Sequence, residues 1–72
     1  MTGRPLKRSL TLRGHRTSVS LEDAFWQAFR DIAREDGKGI NELAVEIDEA
    51  RDPDVGLASA MRVFVLERFR KL

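Results

Sequence analysis

The feature that most constrains the fold is a short strand-like stretch that runs directly into a helical pattern. Residues 16–21, RTSVSL, alternate between two faces, with Thr17, Val19 and Leu21 on one and Arg16, Ser18 and Ser20 on the other. The chain reads as helical from Glu22 onward, yet a strand needs partners for its backbone donors and acceptors. A second strand must therefore come from the same chain or from another copy.

Three helices are predicted downstream from apolar residues at helical spacing. The first spans 22–36 and ends before Gly37, a residue type that commonly follows a helix. The second spans 40–51, with Ile40, Leu43, Ala44 and Ile47 on one stripe. The third spans 57–71. Its apolar residues cover more than one stripe, so we expect it to be buried on several sides, either under the other helices or between subunits.

Size and composition exclude several kinds of site. A chain of 72 residues forms one domain with a marginal core, which makes help from a second subunit plausible. With no cysteine and one histidine, we predict no disulfide and no metal site. The acidic residues match no calcium loop and have no nucleophile nearby, so we predict no catalytic site, no cofactor and no enzyme. No apolar run is long enough for a membrane, which favours a soluble cytoplasmic protein.

Charge is distributed unevenly along the chain. Residues 1–20 hold five basic side chains and no acidic one, whereas residues 21–56 hold eleven acids against four basic side chains. A basic segment beside a strand attracts phosphate, although such segments are often only solvated. We assign residues 1–14 to a basic N-terminal arm and residues 15–72 to the folded domain.

The arm itself contains a second alternating stretch. Residues 9–12, SLTL, would fold back on residues 16–21 if residues 13–15 form a turn. This intramolecular hairpin and pairing with another copy remain alternative answers for the strand.

The order of strand, helix, glycine turn and helix resembles the ribbon-helix-helix DNA-binding proteins. The residues that carry the resemblance run from Arg16 to Ile40, RTSVSLEDAFWQAFRDIAREDGKGI, and the FVLER stretch of the third helix is similar to small stand-alone bacterial members. The resemblance implies a mainly α fold with one short strand per chain. It also implies an intertwined homodimer with a two-stranded antiparallel intersubunit ribbon, to which this chain adds a C-terminal helix.

The family resemblance also implies a site. A two-stranded ribbon enters the major groove of double-stranded DNA, and the residues that match its base-contacting positions are Arg16, Ser18 and Ser20. Arginine can donate two hydrogen bonds to guanine, whereas serines discriminate less between bases. We therefore expect DNA shape, the arm and phosphate contacts to carry much of the binding.

Phosphate contacts are expected in two places. The backbone at the start of the second helix matches the family's phosphate-gripping turn, which here comprises Lys38, Gly39, Ile40 and Asn41. The arm and the following turn supply Arg4, Lys7, Arg8, Arg13 and His15. In an alternative register, residues 57–71 are the second helix of the motif, residues 40–51 are an insertion, and the phosphate turn is at 55–57.

The sequence thus predicts a transcriptional regulator that binds double-stranded DNA as a homodimer at the nucleoid, with further association of dimers on DNA left open. The alternative is a protein-interaction module or antitoxin-like adaptor. In that case the acidic second helix of the same dimeric fold binds a protein partner.

Overall fold

The computed structural model describes residues 3–71 and contains two strands followed by three helices. The strands are β1 (Leu6–Leu12) and β2 (His15–Leu21). The helices are α1 (Asp23–Glu35), α2 (Ile40–Ala50) and α3 (Leu57–Arg70). No helix within residues 3–71 is long and apolar enough to cross a membrane.

The two strands form an antiparallel hairpin within one chain, with Leu12 opposite His15 and Leu6 opposite Leu21. Arg13 and Gly14 connect them, with φ angles of 52° and 82°. A two-residue turn with positive φ at both positions has the twist that suits a hairpin. Gly14 adopts this conformation at little steric cost, whereas Arg13 does so against the usual preference of a side chain.

This hairpin corrects the expectation of one short strand per chain, whereas pairing of β2 with its copy in another subunit stays a prediction. The strand considered at 9–12 extends over Leu6–Leu12 and is the partner of β2. The physical reason is that the turn is only two residues long and that β1 contributes two buried leucines, Leu10 and Leu12, to the core. The hairpin therefore pairs the backbone N–H and C=O groups on the edge of β2 that faces β1. It also buries apolar side chains of β1.

The helices begin and end close to the predicted positions, for local reasons. At the end of α1, Gly37 has a φ of 69°. The N–H of Lys38 donates to the carbonyl of Ala33 at 2.8 Å, and the N–H of Gly37 donates to that of Arg34 at 3.1 Å. This pair of hydrogen bonds is the usual way in which a glycine closes a helix.

The core lies between the inner side of the hairpin and the three helices. Its buried members come from all five elements and include Leu10, Val19, Leu21, Trp26, Phe29, Ile32, Leu43, Ile47, Met61 and Val65. Trp26 is buried and stacks on Phe29 with ring centroids 5.7 Å apart. It is therefore a packing residue and does not present a surface for stacking bases.

One expectation about the core is wrong. Thr17 was expected to face the core with Val19 and Leu21, but it is exposed. It lies toward the turn, whereas α3 packs against the other end of β2, where Arg62 reaches the carbonyl of Ser20. Within this chain only Met61 and Val65 of α3 are fully buried, and burial of its other apolar residues between subunits stays a prediction.

Candidate nucleic-acid interface

The side of the hairpin that points away from the helices carries six polar side chains. Cross-strand neighbours in an antiparallel pair share a face. Three such pairs point outward, and all six members are exposed: Lys7 with Ser20, Ser9 with Ser18, and Thr11 with Arg16. We call these six residues the outer face. It contains two cations, four small hydroxyl side chains and no acid.

The structure therefore places Arg16, Ser18 and Ser20 side by side, as their alternation predicts, and adds three residues from β1. Sequence reasoning had assigned Lys7 to a phosphate-binding arm and had given Ser9 and Thr11 no role. The signal that could have found them is the polar alternation Lys7, Ser9, Thr11 within LKRSLTL. It was hidden by Arg8, a charged residue at a position where a core-facing strand usually has an apolar one.

Arg8 takes that inner position because α1 provides partners for it. Its Nη2 lies 3.1 Å from Oδ1 of Asp23, and its guanidinium carbon lies 5.5 Å from the centre of the Trp26 ring. Its side chain is only 18% exposed. Arg8 was predicted to contact phosphate, but it points toward the helices, on the opposite side of the hairpin from the outer face.

Both edges of the hairpin are fixed to helices by side chains. The backbone N–H of Thr11 donates to Oδ1 of Asn41 on α2 at 2.9 Å. On the other edge, Nη2 of Arg62 on α3 donates to the carbonyl of Ser20 at 3.0 Å. Because hydrogen bonds from α2 and α3 hold opposite edges, the outer face has a defined orientation relative to the helices.

The turn of the hairpin is held by the acidic helix. Arg13 makes ion pairs with Asp48 at 2.7 Å and with Glu49 at 2.9 Å. Arg51 also binds Asp48, at 2.8 Å, and the two guanidinium groups hold the pKa of this carboxyl below its usual range. The hydrogen bond to Asp48 in turn raises the pKa of Arg13. Arg13 is therefore occupied within the chain.

Several groups of the predicted phosphate turn at the start of α2 also have partners within the chain. Lys38 is 2.7 Å from Glu46, which raises the pKa of the lysine, and Asn41 accepts the hydrogen bond from Thr11. A carboxylate oxygen of Glu42 lies 3.4 Å from the N–H of Gly39, where a phosphate oxygen would bind. Ile40 packs against the core. The four residues thus lie together, and the side chains of Lys38 and Asn41 and the N–H of Gly39 have partners in this chain.

The two cations of the outer face are among the basic residues that make no ion pair within residues 3–71. Ion pairs engage seven basic residues: Arg8, Arg13, Arg34, Lys38, Arg51, Arg62 and Arg68. Within residues 3–71, Lys7 and Arg16 take part in none of the ion pairs. Two side chains of the predicted set are exposed: Arg4, which precedes β1, and His15, the first residue of β2. Unpaired cations on an otherwise small polar face leave their charge available to an anionic partner.

A second exposed surface lies on α3. Val63, Leu66 and Phe69 are 56%, 54% and 51% exposed and lie along one side of the helix. We call these three residues the α3 stripe. Beside it, a groove of about 620 Å³ runs between α2 and α3 and is lined largely by apolar side chains, among them Ile47, Val55, Ala60 and Phe64. In the part of the chain described, no group of three or more His, Cys, Asp or Glu residues could hold a metal ion.

A family model described as a ribbon-helix-helix domain matches residues 5–69 of the 72-residue chain. The match takes in the hairpin, α1, α2 and nearly all of α3, and it agrees with a two-stranded antiparallel sheet followed by helices. No curated protein and no solved structure matches the chain. The domain is a DNA-binding, non-enzymatic fold, which supports a DNA-binding regulator at the level of the class. On the extent of this match, the chain belongs to the ribbon-helix-helix family.

Proposed function

We propose that this protein is a transcriptional regulator that inserts its hairpin into the major groove of double-stranded DNA. The observation that carries the proposal is the outer face, which is exposed, free of acids and formed by two paired strands. Serine and threonine side chains let the backbone approach the base edges closely. Arg16 can donate in bidentate fashion to guanine.

The dimensions favour the hairpin of one chain as the unit that enters the groove. Two paired strands lie about 4.8 Å apart, and the major groove is about 12 Å wide. If β2 also paired with its copy in another subunit, the sheet would have four strands. Its outermost strands would lie about 14 Å apart, which is wider than the groove. We therefore propose that each subunit brings its own complete ribbon, in place of a ribbon shared between subunits.

Phosphate contacts follow from basic residues that make no ion pair within residues 3–71. We propose that Arg4, which precedes β1, and His15, at the turn end of β2, contact the DNA backbone, since both are exposed. Arg8, Arg13 and Lys38 would first have to break ion pairs with Asp23, Asp48 and Glu46. Their contribution is expected to be smaller than the sequence predicted.

The protein is further proposed to act as a homodimer in the cytoplasm, at the nucleoid. Ribbon-helix-helix proteins typically bind DNA as dimers, and the α3 stripe is an apolar surface that a monomer would leave in water. A second copy that covers this stripe would leave the outer face of each subunit free for DNA. The acidic helix α2 is a weaker candidate for a partner, because Glu46, Asp48 and Glu49 already bind cations of the same chain.

A salt titration tests the proposal. A labelled duplex with a mixed sequence is titrated with the protein at several salt concentrations, and the same sequence as a single strand serves as the control. For three to four neutralised phosphates, we expect affinity for the duplex to fall roughly 50- to 150-fold between about 50 and 200 mM salt. Absence of binding at low salt, or equal affinity for the single strand, would contradict insertion into the major groove.

A further inference from the structure

The turn between the two strands carries a cation that two acids of α2 hold. We propose that this contact is autoinhibitory: Asp48 and Glu49 occupy the guanidinium group of Arg13 in the free protein and compete with a DNA phosphate for it. This inference rests on the proposed function, since it concerns the affinity of the same protein for DNA. Arg13 lies two residues before β2, and therefore beside that strand whichever second strand completes the ribbon.

The two acids engage both terminal nitrogens of the Arg13 side chain. Nη2 lies 2.7 Å from Oδ2 of Asp48, and Nη1 lies 2.9 Å from Oε2 of Glu49. An arginine binds a phosphate with the same fork of N–H donors. Together with Arg51, which also binds Asp48, the four side chains carry no net charge. The turn therefore offers little attraction to a phosphate until Arg13 leaves the acids.

Release of Arg13 would leave neither acid buried without a partner. Glu49 is 62% exposed and is solvated once Arg13 leaves. Asp48 is 15% exposed, but its other oxygen, Oδ1, keeps the Nε of Arg51 at 2.8 Å. Arg51 is itself held in place, because its Nη1 donates to the carbonyl of Val55 at 2.6 Å. Since an ion pair of this exposure contributes little to stability, a phosphate can displace the acids at low cost.

Other paired cations that contact the strands are held more firmly. The side chain of Arg8 is 18% exposed and lies over the ring of Trp26. The side chain of Arg62 is 29% exposed and donates to the backbone carbonyl of Ser20. The side chain of Arg13 is 50% exposed. Arg13 is therefore the one of these three cations that can turn toward an outside anion with the least loss of packing.

The test is a cycle of variants whose affinity for a labelled mixed-sequence duplex is measured at low salt. Glu49→Gln should raise the affinity about two- to threefold, and Asp48→Asn combined with Glu49→Gln should raise it about five- to tenfold, because the competing ion pairs are removed. In the Arg13→Ala background the same substitutions should raise the affinity by less than about twofold, since only the general repulsion between acids and DNA remains to be relieved. Urea unfolding of each variant shows whether the fold is kept.

Asp52→Asn combined with Asp54→Asn is the matched control. It removes the same two charges from exposed acids that take part in no ion pair within residues 3–71, and it should change the affinity by less than about twofold. Equal gains with and without Arg13 would mean that the acids act only through their general charge. That result, or an unchanged affinity of the combined Asp48 and Glu49 variant, would overturn the autoinhibitory contact while the proposed function stands. Absence of duplex binding by the wild type and by every variant would overturn both.

Discussion

The hairpin and α3 both cover the same core, but their outer sides have opposite chemistry. Leu10, Val19 and Leu21 of the hairpin and Met61 and Val65 of α3 are buried against α1 and α2. On its other side the hairpin presents only serines, threonine and two cations, whereas α3 presents the α3 stripe. A polar, cationic face remains well solvated until it meets an anion. An apolar stripe gains free energy when another apolar surface covers it.

This difference assigns the two surfaces to different partners. The outer face suits DNA, and the α3 stripe suits a second copy of the chain. Substitutions on one surface should therefore leave the function of the other intact. The largest effect of a substitution is expected on the buried side of the hairpin.

Leu10→Ala should lower the free energy of unfolding by about 3 kcal/mol, because a buried leucine is replaced by a cavity. Leu10 is 2% exposed, whereas Leu66 on α3 is 54% exposed. Leu66→Ala, measured at a concentration where the protein is monomeric, should change the free energy of unfolding by less than about 0.5 kcal/mol. Urea unfolding of both variants checks the contrast. Equal losses would show that the hairpin does not help to form the core.

Ser18→Glu should weaken binding to double-stranded DNA by about 100-fold. The substitution places a carboxylate at the centre of the outer face, where it would meet the negative potential of the groove. Ser18 is exposed, so the fold should tolerate the change. Gln27→Glu adds the same charge at an exposed position of α1 and is the matched control. Similar affinities of the two variants would exclude the outer face as the DNA-binding surface.

Leu66→Glu should raise the dimer dissociation constant by about tenfold or more, because it places a charge in an apolar interface. Light scattering after size exclusion measures the mass across a concentration series. Ser18→Glu is the reciprocal control, since it should leave the mass unchanged. A wild-type protein that is monomeric at high micromolar concentration, or a dimer that survives Leu66→Glu, would remove the α3 stripe from the proposed interface.

Gly14→Ala should destabilise the protein by about 1 kcal/mol. A Cβ at this position meets no atom within 4 Å, so the cost comes from the backbone, whose φ is 82°. Gly3→Ala, in the arm and without positive φ, is the control and should be neutral. Thermal unfolding measures both. If Gly14→Ala has no effect, the two-residue turn is not populated in solution.

The smallest effect on stability is expected when the pH is lowered. Arg51 and Arg13 lower the pKa of Asp48, and Arg68 lowers that of Asp36. An acid whose pKa is lower in the folded state adds stability above its unfolded pKa of about 3.9, and this part is lost as the pH falls through the folded pKa. Urea unfolding between pH 7 and pH 2 should therefore show a small loss in the free energy of unfolding that begins at about pH 4. Asp48→Asn should reduce the dependence of the free energy of unfolding on pH. An unchanged dependence would mean that these ion pairs do not form in solution.

Much of the fold was predictable because it depends on neighbours in sequence. The helices predicted at 22–36, 40–51 and 57–71 correspond to α1, α2 and α3 within about two residues at each end. Apolar spacing identified Phe29, Ile32, Leu43 and Ile47 as core residues, and all four are buried. The glycine after α1 ends it by a local pair of hydrogen bonds.

The strand pairing was not predictable to the same degree. RTSVSL has the alternation of a strand whichever second strand it pairs with, and the sequence left both an intramolecular and an intermolecular partner open. A charged residue at position 8 suggested that β1 was part of a solvated arm. Arg8 lies on the inner side of the hairpin only because Asp23 and Trp26 bind its guanidinium group there. These partners lie on α1, so no local pattern in LKRSLTL predicts them.

By itself, the sequence determined the three helices, the family and the outward direction of Arg16, Ser18 and Ser20, because alternation and helical spacing act over a few residues. Tertiary structure alone decided that Lys7 joins them on one face and that Arg8, Arg13 and Lys38 are held by acids. The physical reason is distance along the chain: Arg13 and Asp48 are 35 residues apart, and Arg8 and Asp23 are 15 apart. Charges so far apart in sequence pair only when packing of the hairpin on the helices brings them together.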